Sequence, residues 1–515
     1  MLSKVTKVIP VPILESFESF LLAKYSRTKK FLNKADPKLL DEISKKKAIS
    51  AFKEAVKTTP SYQQFLRKKK IDPQNIKTIY DFDKLVPHTD KENYIKKYAM
   101  EKRCKHGSFP KHGNVDESGG TSGVATNWVH DINEENLLFK SLKFEFNYAF
   151  EGDKKDFFVI SAWSTGPWAT GIKFCTMMEK IALVKNTSTD PVDLANTLKM
   201  FGTKRNYLIG GYPPFLKNLI EETQNHIDWK KYKIDIVTGG EGVPLEWVYY
   251  VKDKLRKGAK IISSYGASDV DIGIGFETPI CFYIREILAK HDSLRQELFG
   301  DDDIPMVFQY NPTVHYIKNI IGKNNKSEFE ITLLDKQAAV PKIKYNLHDE
   351  GKRFNFPDLI NKIEKYEKGF MNNLLKKTTI KEILKLPFLV ILGRTDGTLS
   401  FDGANVFPDQ IEGGIISNKN VAKLINRFKM QKKYDKKHNV EFHVHMELKK
   451  GKKITNELKK SCFKIILEEL LKVNPDYKES YTKNNTLKPR INLYPFDHPL
   501  FQQDDGKVKN QYIMK

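Results

Sequence analysis

Short apolar runs that alternate with helix-like stretches limit the fold of this chain more than any other feature. The runs lie at residues 157–162, 207–209, 234–237 and 260–263. Strands that alternate with helices predict a layered α/β domain with a mainly parallel sheet, which has a nucleotide-sized crevice at the carboxyl ends of its strands. A further run, 328–334, alternates charged and apolar residues and predicts a strand exposed on one side.

The chain before this region has a helical pattern. Apolar residues recur at three-to-four spacing from residue 37 to 98, and the pattern breaks at Pro60 and Pro73. We therefore predict that residues 1–110 are mainly helical and that residues 111–392 form the α/β core.

The chain after this region predicts a second, smaller domain. Residues 442–448 alternate as in a strand, residues 458–470 have a helical pattern, and residues 490–496 predict another strand. This order is typical of a small α+β domain. Because 515 residues exceed one compact core, we predict a large N-terminal domain over 1–392 and a small, mobile C-terminal domain over 393–515.

The chain carries 87 Lys and Arg against 64 Asp and Glu, a formal charge of +23. Clustered positive charge would indicate nucleic acid or an anionic membrane as a partner. The lysines are instead spread through every region and far outnumber the arginines, so we favour a solvated surface and expect no specific nucleic-acid partner.

The four cysteines lie far apart and form no C-x-x-C pair, which favours a reduced, cytoplasmic compartment. The apolar run at 8–22 contains two prolines and two glutamates. It therefore predicts neither a signal peptide nor a transmembrane segment.

Glycines and hydroxyl side chains are densest at Ser118-Gly119-Gly120-Thr121-Ser122-Gly123. Such a loop can wrap a polyphosphate with its backbone N–H groups, because no Cβ atom blocks close approach. The alternative is a flexible surface turn. The G-K-[ST] ending of a Walker A loop is missing.

A second cluster, Ser264-Tyr265-Gly266-Ala267-Ser268-Asp269, follows an apolar strand. At a strand end, an aromatic ring can stack on a base and a carboxylate can hold a hard cation. The alternative is a corner that buries a tyrosine.

Two further glycine-containing segments lie nearer the C-terminus. Gly393-Arg394-Thr395-Asp396-Gly397 lies at the predicted domain boundary and is either a loop capped by an ion pair or a hinge. Gly506-Lys507 is either an exposed tail or, over a phosphate, a point charge that stabilises developing negative charge.

In this order, the four segments resemble the signature motifs of the adenylate-forming superfamily of acyl-CoA synthetases, nonribosomal adenylation domains and beetle luciferases. The likeness is greatest to the phenylacetate-CoA ligase branch, whose hinge segment is similar to G-R-T-D and the following G-A-N-V-F-P-D-Q-I-E here. Residues 51–62 and 81–87 resemble the N-terminal helices of that branch, so the resemblance covers most of the chain.

The resemblance implies an ATP site in the large domain. Its glycine-rich loop would hold the β- and γ-phosphates through Ser118, Gly119, Gly120, Thr121, Ser122 and Gly123. Gly240 and Glu241 would line the adenine, and Tyr265, with Gly266 beside it, would stack on the base. A further segment, Tyr345-Asn346-Leu347-His348-Asp349, resembles the family's Y-R-T-G-D motif, in which Asp349 would bind the ribose hydroxyls.

The resemblance also implies the catalytic groups. Ser268 would contact the α-phosphate, Arg394 would assist at ribose or phosphate, and Lys507 would bridge the carboxylate and the α-phosphate. Asp269 would replace the usual glutamate as the Mg²⁺ ligand, and Asp396 would be the hinge.

The chain departs from the family pattern at four places. Val124-Ala125-Thr126 stand where Pro-Lys commonly follows the phosphate loop. Gly397 replaces the second acidic residue of the hinge, Asn510 replaces a basic residue after Lys507, and Asp269 is one methylene shorter than glutamate.

The activity implied by the resemblance is ATP-dependent conversion of a carboxylic acid to an acyl-adenylate, with CoA as the acyl acceptor. An acyl carrier protein, an amine or a sugar is an alternative acceptor, and a non-catalytic descendant that binds nucleotide or an anionic surface is a further alternative. The aromatic residues Trp163, Trp168, Tyr212 and Phe215 are either walls of an acid pocket, which would favour an aryl or apolar acid, or ordinary core residues. A homodimer is expected by analogy with some members of the branch.

Overall fold

The structure, a computed structural model, describes residues 9–118, 126–166, 169–300, 303–322, 325–379, 382–395, 398–483 and 487–501. The described residues group into two compact units. The first comprises those within Met1–Asp116, Asn127–Gly211 and Thr223–Thr395, and the second those within Glu117–Thr126, Tyr212–Glu222 and Asp396–Lys515. The boundary at 392/393 stays a prediction.

Helices form the N-terminal part of the first unit, as the apolar spacing predicts. One helix begins at Pro60 and a 3₁₀ turn begins at Pro73, since proline needs no N–H partner in a first turn. The helices are α1 (Val11–Leu22), α2 (Tyr25–Lys34), α3 (Pro37–Thr58), α4 (Pro60–Lys68), α5 (Ile79–Leu85) and α6 (Met100–Arg103). The apolar spacing begins at residue 37, so α1 and α2 are predicted only by the broader expectation that residues 1–110 are mainly helical.

The strands up to residue 394 form a short two-stranded sheet, β1 and β2, and one large sheet. In chain order they are β1 (Gly113–Ser118), β2 (Thr126–Asp131), β3 (Phe157–Ala162), β4 (Leu183–Asn186), β5 (Asn206–Gly211), β6 (Lys233–Gly239), β7 (Ile261–Ala267), β8 (Asp271–Phe276), β9 (Met306–Gln309), β10 (His315–Ile321), β11 (Ser327–Leu333), β12 (Tyr345–Phe354) and β13 (Phe388–Arg394). The spatial order of the large sheet is β10-β11-β12-β13-β9-β8-β7-β6-β5-β3-β4.

The large sheet is parallel in one half and antiparallel in the other. Strands β3 to β7 pair in parallel, as the sequence pattern predicts. The pairs from β7–β8 onward are antiparallel, so the prediction of a mainly parallel sheet is wrong for that half. Only residues 268–270 connect β7 to β8, and so short a connection joins antiparallel neighbours.

Strand β11 is buried along most of its length, so the prediction that it is exposed on one side is wrong. Its acidic residues are accommodated by polar partners. The Asn346 amide donates to Glu328 over 2.6 Å, and the Lys344 ammonium lies 3.3 Å from Glu330. An alternating pattern does not reveal such partners.

Alternate residues of β13 show that the sheet is covered on both faces. Leu389 belongs to a core with Phe52 of α3, whereas Val390 belongs to a core with helices that follow β8, through Ile284 and Leu359. Neighbouring residues of a strand point to opposite faces, so helices cover both. The helices of the first unit after α6 are α7 (Ile132–Phe150), α8 (Ala169–Met178), α9 (Pro191–Phe201), α11 (Leu245–Lys254), α12 (Pro279–Lys290), α13 (Asp292–Phe299), α14 (Phe356–Glu364) and α15 (Phe370–Lys377). Helix α10 (Pro213–Thr223) belongs to the second unit except for its last residue.

The second unit contains a three-stranded sheet and a helical layer. Its elements after residue 398 are β14 (Leu399–Phe401), β15 (Ala404–Val406), α16 (Pro408–Ser417), α17 (Lys419–Ala422), β16 (Ile425–Tyr434), β17 (Val440–Leu448), α18 (Asn456–Val473), α19 (Pro475–Lys483) and β18 (Arg490–Tyr494). Strand β17 buries Phe442, Val444 and Met446 in one core with Cys462 and Ile466 of α18. The predicted architecture, a large α/β part and a small α+β part, is confirmed.

Across the described ranges, no helix combines the length and apolar content that a membrane crossing requires.

Candidate active site

The candidate site lies at the carboxyl ends of β6 and β7. Gly239 pairs with Ser264 at this edge, and Gly240 follows β6 with φ +82°, a conformation that favours glycine. Ser268 and Asp269 lie in the short turn between β7 and β8. The turn closes through a 2.9 Å hydrogen bond from the Val270 N–H to the Ala267 carbonyl.

Three of the predicted site residues, from three separate motifs, meet at this edge. The Tyr265 hydroxyl donates a short hydrogen bond to Oδ2 of Asp349, and Nη1 of Arg394 lies 3.3 Å from Oδ1. Asp349 and Arg394 are directly opposite each other in the β12–β13 register. Burial and the Asp349 carboxylate raise the pKa of Tyr265 well above its ordinary value, so the phenol stays protonated and donates.

The Tyr265 ring is stacked on Phe308 of β9, with ring centroids 5.6 Å apart and planes inclined by 26°. Sequence reasoning missed Phe308, because it lies in no motif and reaches Tyr265 only through the sheet order. The stack fixes the ring plane of Tyr265 beside Asp349.

Asp269 is held by two side chains. The Tyr345 hydroxyl donates to Oδ2 over 2.8 Å, and Nζ of Lys91 lies 3.2 Å from Oδ1. The segment that carries Lys91 is tied to the start of β12, since Thr89 forms a parallel bridge with Tyr345 and its carbonyl accepts from the Asn346 N–H at 2.8 Å. Lys91 was also missed from the sequence, where it is one lysine among many.

A second lysine, Lys342, lies close to Lys91 and Asp269. Nζ of Lys342 lies 4.6 Å from the centroid of the Trp128 ring, and Nζ of Lys91 lies 5.7 Å from it. The Trp128 ring meets Tyr345 edge to face at 6.3 Å. Burial lowers the pKa of Lys342 to about 8. At neutral pH these lysines place positive charge beside Asp269, which suits a polyphosphate.

Asp269 fits Mg²⁺ only as a single protein ligand. The described residues contain no cluster of three or more His, Cys, Asp or Glu side chains suited to a metal. Mg²⁺ commonly takes one or two carboxylates and completes its shell with water and substrate phosphates, so one carboxylate is enough for an ion that enters with a nucleotide. The Lys91 ammonium is a competitor for the same oxygen.

Glu328, a further residue that the sequence did not indicate, organises the chain around Asp349. It accepts hydrogen bonds from Asn346 at 2.6 Å and from Thr395 at 2.5 Å, and it lies 3.2 Å from Nδ1 of His348. Burial alone would raise the pKa of Glu328, but these partners lower it to about 2.

The Glu328 group supports a backbone conformation that an L-residue adopts rarely. His348 has φ +61°, its N–H donates to the Asn346 side chain over 2.7 Å, and its carbonyl accepts from the Thr395 N–H at 2.9 Å. His348 immediately precedes Asp349, and Thr395 immediately follows Arg394. The turn therefore fixes the direction of the Asp349 carboxylate.

A buried ionic network lies at the base of the predicted phosphate loop. The Lys173 ammonium lies 2.7 Å from Asp116 of β1 and 2.9 Å from Glu135. His130 of β2 lies 3.2 Å from Asp116 and 2.6 Å from Glu134. Burial alone would lower the pKa of His130, but the two carboxylates raise it to about 9. The network thus connects β1 and β2, the strands on either side of the loop.

Of the predicted phosphate loop, only Ser118 lies in the described part of the chain, where it ends β1. Gly119, Gly120, Thr121, Ser122, Gly123, Asp396 and Lys507 are outside the described residues, as is the candidate wall residue Trp168. Trp163 is buried against Phe174, with ring centroids 6.4 Å apart, while Tyr212 and Phe215 belong to the second unit.

The solved structures that share the fold include two of one ligase. One is 2-hydroxyisobutyryl-CoA ligase in complex with 2-HIB-AMP and CoA in its thioesterification state, which is 12% identical, with a TM-score of 0.59 over 92% of this chain and 89% of that chain. The other is an open conformation of that ligase with 2-HIB-AMP and CoA, at 12% identity and a TM-score of 0.50 over 93% and 91% of the two chains. No protein-family model and no curated protein matches the chain.

Proposed function

We propose that this protein is an AMP-forming acid–thiol ligase similar to the phenylacetate-CoA ligase branch. It converts a carboxylic acid and ATP to an acyl-adenylate and pyrophosphate, and then transfers the acyl group to the thiol of CoA. The observation that carries the proposal is the convergence of Tyr265, Asp349 and Arg394, which come from three separate motifs of the adenylate-forming resemblance. The 2-hydroxyisobutyryl-CoA ligase with the same fold was solved with 2-HIB-AMP and CoA.

We assign the nucleoside to this cluster. The Asp349 carboxylate, held by Tyr265 and Arg394, accepts hydrogen bonds from the ribose hydroxyls. Tyr265 stacks on the adenine through the ring face opposite Phe308, and Gly240 and Glu241 line the base. Glycine is required at position 266, since a Cβ there would lie 2.3 Å from the Ile272 carbonyl oxygen of the partner strand.

We assign the phosphates to the cations and the glycine-rich loop. An attacking carboxylate and a triphosphate repel each other, so positive charge must converge on the reacting groups. Residues 118–123 hold the β- and γ-phosphates through backbone N–H groups and hydroxyls, and Ser268 contacts the α-phosphate. Lys507 bridges the substrate carboxylate and the α-phosphate, and Arg394 supports the ribose or phosphate.

Both steps balance without an added oxidant or reductant. A carboxylate oxygen attacks the α-phosphorus, and the bond from that phosphorus to the bridging oxygen breaks to release pyrophosphate. The CoA thiol then loses its proton to solvent water and its sulfur attacks the acyl carbon. The bond from that carbon to the phosphate oxygen breaks, and AMP leaves. Asp269 would hold a Mg²⁺ ion that accompanies ATP, and such an ion neutralises phosphate charge when bound.

The second step is assigned to the small domain. We propose that a rotation about Asp396 removes Lys507 from the phosphates and brings the loop at Gly403 to the thiol. Strand β14 turns into β15 there, with Asp402 at φ +49° and Gly403 at φ +82°. The variant Asp396→Pro would restrict the rotation and should therefore reduce thioester formation more than pyrophosphate exchange. Equal losses of both activities would contradict the assignment of Asp396 as the hinge.

Exchange of labelled pyrophosphate into ATP tests the first step. The native protein should support exchange only when a suitable acid from a panel of aryl, fatty, hydroxy and amino acids is present. Lys507→Ala should abolish this exchange and Lys509→Ala, its neighbour, should leave it intact. A native protein that binds ATP but exchanges with no acid would favour the non-catalytic alternative.

The acceptor is tested separately. The charge of +23 favours an acidic carrier protein as a second candidate, since such a partner would be steered to the chain. Product formation from the preformed acyl-adenylate should be compared among CoA, a phosphopantetheinylated carrier protein, amines and sugars. Faster transfer to the carrier than to CoA would overturn the CoA assignment and leave adenylation untouched.

A further inference from the structure

Helix α1 exposes large apolar side chains and turns its acidic residues toward the protein. Ile13, Phe17 and Phe20 are 57%, 48% and 54% exposed, and their spacing places them on one face of the helix. We call this set the α1 apolar face. Single exposed apolar residues are ordinary on protein surfaces, but three on one helix face indicate a partner.

The opposite side of α1 is fixed by specific contacts. Leu14 is buried, and the Glu15 carboxylate lies 3.0 Å from Nζ of Lys336. Glu18 pairs with Lys47 and accepts from the Thr313 hydroxyl at 2.5 Å. Rotating α1 to bury the apolar face would break these ion pairs and leave charged groups without partners. The face is therefore held outward by the fold.

A row of basic residues on α2 and immediately before it lies beside the α1 apolar face. Arg27 and Lys34 share a helix stripe with Phe31, and the extended residue Lys24 directly precedes the helix; we call Lys24, Arg27 and Lys34 the basic stripe of α2. The Phe31 ring meets Phe17 edge to face at 5.9 Å. The Arg27 guanidinium lies 4.1 Å from the centroid of the Phe20 ring. Residues 9–34 contain only two acidic residues, Glu15 and Glu18, and both are paired inward. The outer side of α1 and α2 is apolar and cationic.

We propose that the α1 apolar face and the basic stripe of α2 bind an anionic lipid surface. Ile13, Phe17 and Phe20 would enter the boundary between headgroups and acyl chains, while Lys24, Arg27 and Lys34 contact lipid phosphates. This is peripheral binding, and it is independent of the proposed ligase activity.

Charge argues for this partner over a second copy of the chain. A symmetric contact through this face would bring two basic stripes together, and each chain already carries +23. An anionic surface satisfies the cations and the apolar side chains together. Arg27 over Phe20 is suited to that boundary, because the ring is apolar and the guanidinium can pair with phosphate.

Flotation with vesicles tests the proposal. The full chain should bind vesicles of phosphatidylcholine and phosphatidylserine, bind pure phosphatidylcholine at least tenfold more weakly, and lose binding as salt rises. The combined variant Ile13→Ser, Phe17→Ser, Phe20→Ser should lose at least tenfold in partitioning. The variant Lys24→Gln, Arg27→Gln, Lys34→Gln should lose about fivefold or more per charge at low salt and show a flatter salt dependence.

A matched control replaces three apolar residues that are also exposed, Val192, Met200 and Ile321, by serine; they are 65%, 79% and 70% exposed. This variant should bind vesicles like the native chain. Equal binding by the native chain and the α1 serine variant would overturn the proposal, as would absence of vesicle binding by the native chain. A dimer in light scattering that the α1 variant abolishes, without vesicle binding, would assign the face to a second copy instead.

Discussion

At the residue scale, the carboxylate of Asp349 is oriented before a ligand arrives. One oxygen accepts from the protonated Tyr265 phenol and the other faces Arg394. His348 and Thr395 fix the backbone on both sides through Glu328. Ordering that is complete in the free protein need not be repeated on binding, so a rigid Asp349 favours tight and directional recognition of a diol.

Glu328 makes stability depend on pH in the acid range. Its pKa is about 2 in the folded protein against an ordinary 4.5, so its contribution is full above pH 4.5 and is lost as the pH falls toward 2. At 1.36 kcal/mol per unit, the difference is about 3 kcal/mol. Glu328→Gln should lower the free energy of unfolding by about this amount at pH 7 and by little near pH 2, as measured in urea.

Glu330, on the same strand, is the matched contrast. Burial raises the pKa of Glu330 to about 7, so its ionised form is disfavoured in the folded protein. Stability from this group falls as the pH rises from 4.5 through 7, and Glu330→Gln should remove that fall. If the free energy of unfolding fell equally between pH 4.5 and 2 in Glu328→Gln and in Glu330→Gln, Glu328 would not be the source of that fall.

Lys91 should compete with Mg²⁺ for Asp269. A partly exposed ion pair is worth up to about 1 kcal/mol, so Lys91→Met should lower the Mg²⁺ concentration for half-maximal pyrophosphate exchange by up to about fivefold. Lys91→Arg keeps the cation and should leave the concentration near the native value. A higher Mg²⁺ requirement in Lys91→Met would mean that the attraction of Lys91 for the nucleotide phosphates outweighs its competition with the metal.

At the element scale, the turn between β7 and β8 positions Ser268 and Asp269. Its geometry depends on the close approach of the two strands at Gly266, where a Cβ would lie 2.3 Å from the Ile272 carbonyl oxygen. That oxygen belongs to backbone, so the strands would have to separate. The position of Ser268 and Asp269 thus depends on Gly266, two residues before Ser268 near the end of β7.

Gly266→Ala should therefore destabilise the protein by about 1–3 kcal/mol and reduce pyrophosphate exchange through a higher KM for ATP. Gly242→Ala is the control, since its Cβ would meet only the Met306 side chain at 3.6 Å, an ordinary contact. Urea unfolding and exchange kinetics measure the two effects. Native behaviour in Gly266→Ala would show that the strands yield at no cost.

Sequence patterns predict elements whose partners are adjacent and miss those that depend on distant partners. The parallel strands, the helices after Pro37 and the strand–helix–strand order near the C-terminus follow from local periodicity. Tyr265, Asp349 and Arg394 were found through motifs. Phe308, Lys91 and Glu328 act through Tyr265, Asp269 and Thr395, partners more than 40 residues away in the sequence, and no local signal marks them.

At the scale of the whole molecule, the antiparallel half of the sheet shows the limit of local patterns most clearly. Periodicity reports whether a segment forms a strand, whereas direction depends on the length and path of the connection. The buried acids of β11 illustrate the same limit, because their partners, Asn346 and Lys344, lie on or beside another strand.

The position of β13 in the sheet sets an order for assembly. Residues Phe388–Arg394 pair with β12 on one side and with β9 on the other, so this late strand joins the two halves of the sheet. A nascent chain that ends before Phe388 has no hydrogen-bonded link between β9 and β12, although both strands have been synthesised. The Asp349 side of the site can therefore meet the Tyr265 side within one sheet only after about three-quarters of the 515 residues have left the ribosome.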